Sequence, residues 1–334
     1  MSLKTTIIGD GAMGTLCAIM LCENGHAVGM WSHEAEYAEE LARTRTNRRY
    51  LPGTELPDAL EITGRDAEAF EGAELIVAAT PAQYARGVWQ RLAEYVPGGV
   101  GICTITKGIE NETLLRPTEV LSDVLGDTAR PLAALSGPSI APEIVERKPA
   151  SVAVASFQKP FAITVQEAIT RPYFRVYTNP DPVGLELAGA TKNVIAIAAG
   201  ILDGLEAGCN AKAALLTRGL AEITRLGEAL GARAETFAGL GGFGDLVTTC
   251  ISPVGRNRSF GQAVGSGQSV DDALGATESV VEGVATCRSV VDLAARCDVP
   301  MPITRAVWDV LFQGRSPREA IHELMTRPLK SELA

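Results

Sequence analysis

Apolar positions follow two rhythms along this chain. Up to about residue 180, short apolar or β-branched runs at 5–8, 26–31, 75–79, 101–105, 132–135, 151–155 and 174–177 read as strands. Most are separated by stretches of helical spacing, such as 83–95 and 113–125, and a helix is expected to run from the first glycine turn through Cys22. Strands alternating with helices predict a mainly parallel sheet covered on both faces. After Asn179-Pro180-Asp181-Pro182 the rhythm changes. Residues 183–202, 211–230, 281–296 and 303–312 carry helical spacing, with no strand among them. The expectation is an α/β N-terminal domain over 1–180 and an all-α C-terminal domain over 181–334.

Composition narrows the function. The chain has 334 residues, enough for two domains, and a formal net charge of −10. Non-specific nucleic-acid binding needs a basic footprint, so that class is set aside. An anionic ligand must instead find a local cluster of Lys or Arg. The seven cysteines form no C-x-x-C pair and there are only three histidines, so no metal site is expected. Scattered cysteines inside apolar runs read as reduced core residues, which predicts a cytoplasmic protein without a targeting segment. The apolar stretch 194–201 is too short to cross a bilayer, so no membrane insertion is expected.

Gly9-x-Gly11-x-x-Gly14 lies between the first strand and the first helix. In that context it reads as the dinucleotide-binding turn of a Rossmann-type domain. Gly9 allows the tight turn, Gly11 lets backbone approach a pyrophosphate, and Gly14 lets helix and strand pack closely. The pyrophosphate then meets free amides at the helix start. The second strand ends in Trp31-Ser32-His33-Glu34, where an NAD-selective fold often carries an acid for the ribose 2′-hydroxyl. Glu34 comes late. Ser32 and His33, helped by Arg48 or Arg49, could accept a 2′-phosphate. Use of both NAD and NADP, or a preference for NADPH, is the expectation. Trp31 reads equally as an adenine contact or as core.

Several residues have the chemistry of a reaction site. Lys107 follows the strand at 101–105, and ligands bind at the carboxyl ends of parallel strands. Lys192 sits in an apolar helix, where burial lowers a lysine pKa and makes it a usable acid or base. Asn193 could hold a substrate hydroxyl, and Glu186 is a candidate partner for Lys192 on the same helix. Gly239-Leu240-Gly241-Gly242-Phe243-Gly244-Asp245 reads as a loop whose amides approach a ligand, with Asp245 placed to fix Lys192. Arg256 and Asn257 suit an anion. Ser136-Gly137-Pro138-Ser139 follows another strand end and could add a hydroxyl and amides. No hydrolase triad order or phosphate-binding Gly-Lys-Ser/Thr loop is present, so hydride transfer fits best.

The blocks GDGAMGT near the start, NRRYLPGTELP at 47–57, TKGIE at 106–110, SGPSIAPEI at 136–144, TKNVIAIAAGILDGL at 191–205, AALLTRGLAEITRLG at 213–227, GLGGFGDLVTTC at 239–250, GRNRSFG at 255–261, VVEGVATC at 280–287 and PMPI at 300–303 follow in order. In them the chain resembles bacterial NAD(P)-dependent glycerol-3-phosphate dehydrogenases over nearly its whole length. The resemblance implies reduction of dihydroxyacetone phosphate to sn-glycerol 3-phosphate for phospholipid synthesis, by a homodimer. It implies that Lys192 is the proton donor, with Lys107 and Asp245 beside it. Lys107, Gly137, Ser139, Lys192, Asn193, Asp245, Thr249, Gly255, Arg256 and Asn257 would line the substrate site. Gly9, Gly11, Ala12, Met13, Gly14, Trp31, Ser32, His33, Arg48, Tyr50, Lys107, Ala141, Arg256, Val280 and Glu282 would border NAD or NADP.

The chain departs from the family pattern at four points. It has Ala12-Met13 where Ser followed by an aromatic is usual, His33 where Arg is frequent, Ile140 for Phe, and Gly255 for Ser. A reductase of another small ketone and a non-catalytic nucleotide sensor remain as alternatives. Reduction of a non-phosphorylated ketone, or cofactor binding without turnover, would distinguish them.

Overall fold

A computed structural model describes residues 2–277, 280–329, 331 and 332. Eight strands form one sheet: β1 Lys4–Ile8, β2 Ala27–Trp31, β3 Glu61–Thr63, β4 Leu75–Ala78, β5 Gly101–Thr104, β6 Leu132–Ser136, β7 Ala150–Ala155 and β8 Phe174–Asn179. Their order is β3-β2-β1-β4-β5-β6-β7-β8, parallel except where β6 meets β7. The central strands β4 and β5, Leu-Ile-Val-Ala and Gly-Ile-Cys-Thr, are buried throughout, as expected for a parallel sheet with helices on both faces. Edge strand β8 alternates buried and exposed positions. The order reverses beside β1, whose neighbours are β2 and β4, and this switch point opens a crevice at the strands' carboxyl ends.

Two predicted helices differ in detail, and one strand was not predicted. The short edge strand β3 was not expected, because three residues carry too little periodicity. The helix expected over 113–125 begins only at Pro117, since Leu114 takes a left-handed backbone conformation (φ 61°) and a proline favours the first helical turn. The helix expected over 83–95 ends at Leu92 and tightens into a 3₁₀ turn, Ala93–Tyr95.

Beyond β8 the described residues are helical. The helix Pro182–Gly204 is the axis of this part and is almost entirely buried. Asp181 caps it, accepting from the Gly184 amide at 2.9 Å. At 23 residues it is long and apolar enough to cross a membrane, which the shorter stretch 194–201 concealed, but 94% of its apolar window lies inside protein. The helix Arg256–Gly265 crosses it at close backbone range. A Cβ on Gly200 would come within 2.0 Å of the Arg258 carbonyl oxygen, and one on Gly261 within 2.1 Å of that of Ile197. Glycines on both helices therefore bring Arg256 and Asn257 towards the helix that carries Lys192.

Candidate active site

The turn after β1 has the features that a pyrophosphate requires. Gly9 has φ +114°, and a Cβ there would lie 2.9 Å from the Ala79 carbonyl oxygen. A Cβ on Gly14 would come within 2.3 Å of the Gly9 carbonyl oxygen, so neither position admits a side chain. Beside Gly11, in contrast, no atom beyond its chain neighbours lies within 4 Å of where a Cβ would project. Gly11 is the N-cap of the helix Ala12–Glu23, and no side chain caps that helix start. Open space in front of an uncapped helix N-terminus fits a dinucleotide phosphate. Ala12 and Met13 lie half-buried in the first turn.

The end of β2 is less open than the sequence implied. Trp31 is 0% exposed, its indole N–H bonded to Asp66 at 3.0 Å, so its ring is core and does not face the nucleotide groove. Ser32 is buried and donates to Asp10 Oδ2 at 2.7 Å. His33 and Arg48 are exposed, and Tyr50 is half-buried next to Arg49.

A charged cluster lies where β5 and β6 end and the helical part begins. Lys192, in the middle of its helix, is 5% exposed. Its Nζ forms an ion pair with Asp245 Oδ1 and donates to Thr249 Oγ1 at 2.7 Å. Asp245 opens the helix Asp245–Ile251, and Thr249 follows one turn later on the same face. The second oxygen of Asp245 accepts from Lys107 Nζ at 2.7 Å and from Ser136 Oγ at 3.3 Å. Lys107 Nζ also reaches the Gly137 carbonyl at 3.2 Å. One carboxylate therefore holds two ammonium groups.

Burial sets the electrostatics of this cluster. It drives the Lys192 pKa down to about 7, with Asp245 opposing the fall and Lys107 adding to it. Burial also works to raise the Asp245 pKa, but the ammoniums of Lys107 and Lys192 outweigh it and hold the carboxyl below its ordinary range. Lys192 is thus poised to give or take a proton near neutrality beside a fixed negative charge. Glu186 is not its partner. That carboxylate forms an ion pair with Arg116 and accepts from the Thr118 amide and hydroxyl at 2.8 and 2.7 Å.

The remaining predicted residues flank the cluster. Asn193 follows Lys192 and is buried. Ser139 donates to the Gly137 carbonyl at 3.0 Å, and buried Ala141 opens a short helix after Ile140. Gly255 caps the helix Arg256–Gly265 without a side-chain bond. Arg256 Nη1 donates to the Val280 carbonyl at 3.1 Å, and Asn257 Oδ1 accepts from the Gly283 amide at 2.9 Å. Glu282 opens the helix Glu282–Arg296. Burial raises its pKa, with the Arg256 guanidinium and the ammoniums of Lys107 and Lys192 opposing the rise.

The glycine-rich stretch before Asp245 differs from its sequence reading. Leu240–Gly244 is one π-helical turn. A Cβ on Gly242 would lie 2.1 Å from the Phe237 carbonyl oxygen, and one on Gly241 2.0 Å from Leu185 Cδ1. These glycines let chain approach chain, and the element that reaches the cleft is Asp245. A cavity of about 650 Å³ opens elsewhere in the helical part, with Leu215, Ile303 and Val310 among its walls. It shares no residue with the lysine cluster.

Comparison with known proteins decides the family. The family models described as the N-terminus and the C-terminus of NAD-dependent glycerol-3-phosphate dehydrogenase match residues 4–162 and 181–322. The chain belongs to that family. It is 47% identical to an NAD(P)+ glycerol-3-phosphate dehydrogenase of Geobacter sulfurreducens, over 99% of both chains. Identity to the Geobacillus thermodenitrificans counterpart is 46%, over 98% of this chain and 96% of the relative. Among solved structures, the glycerol-3-phosphate dehydrogenase of Coxiella burnetii is similar, with a TM-score of 0.93 at 36% identity, covering 98% of this chain and 99% of that one. Membership in this NAD(P)-dependent family makes the protein an oxidoreductase with an α/β nucleotide-binding domain and a helical C-terminal domain.

Proposed function

We propose that the protein reduces dihydroxyacetone phosphate to sn-glycerol 3-phosphate with NADH or NADPH, reversibly, and so supplies glycerophospholipid synthesis. The reading rests on Lys192, a buried lysine with a pKa near 7, held by Asp245 at the carboxyl ends of the strands. When bound, the reduced nicotinamide supplies the hydride. Lys192 hydrogen-bonds the ketone oxygen. Its N–H bond breaks and the product O–H bond forms as the carbonyl π pair moves onto oxygen, leaving a neutral amine. Oxidation runs the same proton transfer in reverse.

Asp245 and Thr249 aim the ammonium group, and Lys107 brings a second positive charge to the developing oxyanion. Arg256, Asn257, Gly137, Ser139, Asn193 and the amides after Gly255 receive the substrate. The Asn257 amide oxygen is taken by Gly283, so its NH₂ group is the part that serves an anion. The nucleotide lies along Gly9, Gly11, Ala12, Met13 and Gly14, past Ser32, His33, Arg48 and Tyr50, with Lys107, Ala141, Arg256, Val280 and Glu282 at its reactive end. We divide the nucleotide domain from the catalytic domain at residues 180 and 181. We take the working form to be a cytoplasmic homodimer.

The test is loss of nicotinamide absorbance with dihydroxyacetone phosphate, for the protein and for Lys192→Ala, with NADH and NADPH supplied in parallel. Oxidation that Lys192→Ala lowers by about 10²–10⁴-fold, with nucleotide affinity kept, supports the reading. Unchanged turnover in that variant refutes the role of Lys192. Oxidation with only a non-phosphorylated ketone would move the substrate to another small keto compound.

A further inference from the structure

The preferred nucleotide is legible in the packing around the first turn. Asp10 is the residue between the first two glycines of Gly9-x-Gly11. Its carboxylate accepts the Ser32 hydroxyl at 2.7 Å, directly after β2. It therefore brings a negative charge to the strand end where dinucleotide folds meet the adenosine ribose. Asn47 anchors the same turn, donating to the Asp10 carbonyl at 2.7 Å and to Thr15 Oγ1 at 2.7 Å.

Arg49 and Arg91, two of the cations that could receive a 2′-phosphate here, are already paired. Arg49 pairs with Glu34 at 2.8 Å and lies over the rings of Tyr37 and Tyr50, 5.7 and 5.2 Å from their centroids. Arg91 grips Asp66 with two nitrogens, at 2.7 and 2.8 Å, and lies 5.3 Å from the Trp31 ring centroid. Its third nitrogen faces His33 Nδ1 at 3.4 Å. Exposed Arg48 makes no ion pair among the described residues and is the competing cation.

We propose that Asp10 and Glu34 make this enzyme selective for NADH over NADPH, Asp10 by facing the ribose from the first turn and Glu34 by occupying Arg49. A ribose 2′-hydroxyl can donate to a carboxylate, whereas a 2′-phosphate would bring a like charge against it. The inference rests on the nucleotide-binding reading of the Gly9–Gly14 turn, and it sets NADH selectivity against the dual use or NADPH preference expected from the sequence.

Calorimetric titration with NADH and with NADPH, without ketone, reads the affinities apart from turnover. The wild-type chain is expected to bind NADH at least about tenfold more tightly than NADPH. Asp10→Asn keeps an acceptor for Ser32 while removing the charge, and it should narrow that ratio mainly by improving NADPH. Glu34→Gln, at an exposed position, frees Arg49 and should narrow the ratio further. Equal or tighter NADPH binding by the wild-type chain overturns the inference, as does a ratio unchanged in both variants. Failure to bind either nucleotide overturns the nucleotide reading, and the selectivity falls with it.

Discussion

The two glycine-rich turns of this chain use the same residue for opposite ends. In the turn after β1, Gly11 faces open space at an uncapped helix start. In the turn before Asp245, the space beside Gly241 and Gly242 is already filled by Leu185 and the Phe237 backbone. The first turn leaves room for a ligand. The second removes room so that one carboxylate can sit at a fixed place between two ammonium groups. A glycine run alone therefore does not say whether the intended neighbour is a ligand or the protein's own chain.

The largest effect expected on this comparison comes from what the second turn delivers. Asp245→Asn leaves Lys107 and Lys192 facing each other without their shared counter-charge. The neutral amine of Lys192 gains, so less of it is protonated at neutral pH. Turnover in the reducing direction should fall by about 10²–10³-fold. The alkaline limb of its pH profile, expected near the Lys192 pKa of about 7, should move to lower pH. Unchanged turnover and profile would mean that the second turn holds a structural charge only.

Next comes the contrast between the glycines themselves. Gly242→Ala forces a methyl group into the Phe237 backbone and should cost roughly 3 kcal/mol, on the order of 5–10 °C in Tm by thermal unfolding. Gly11→Ala meets no atom beyond its chain neighbours, and its backbone (φ −60°, ψ 170°) is open to any residue. Its stability cost should stay within about 1 kcal/mol, while nucleotide affinity falls about tenfold because the methyl stands where the phosphate approaches. Equal melting temperatures for the two variants would erase the distinction between the turns.

What could be read from sequence follows the range of the signal. The strand–helix alternation is local, so the sheet and the helical second half were legible. A lysine among Leu, Ala, Val and Ile stands out without any fold, so Lys192 and its pairing with Asp245 could be named. The sharing of Asp245 with Lys107 spans 138 positions and left no local trace. Glu186 was assigned by sequence proximity to Lys192, but its partners Arg116 and Thr118 come from the nucleotide domain. Asp10, between two glycines, carries no local signal of a role. Only the fold brings it to Ser32, whose hydroxyl it accepts at 2.7 Å. Trp31, readable as either core or adenine contact, is core because β1, β2 and the helix Ala82–Leu92 enclose it.

The smallest effect is expected at Thr249, and it probes how finely the second turn's carboxylate is supported. The Thr249 hydroxyl accepts from Lys192 at 2.7 Å and donates to the Asp245 carbonyl at 2.7 Å, so it joins the lysine to the helix that Asp245 opens. Thr249→Val keeps the shape and removes the acceptor. The charged form of Lys192 loses one hydrogen bond, worth about 1 kcal/mol net, and its pKa falls below about 7. Reduction needs the ammonium, so its alkaline limb should move to lower pH, in the same direction as in Asp245→Asn but by less. Oxidation needs the neutral amine, so its acid limb should move to lower pH as well. A shift upward in either limb would mean that the hydroxyl favours the neutral amine, and that Asp245 alone keeps Lys192 charged.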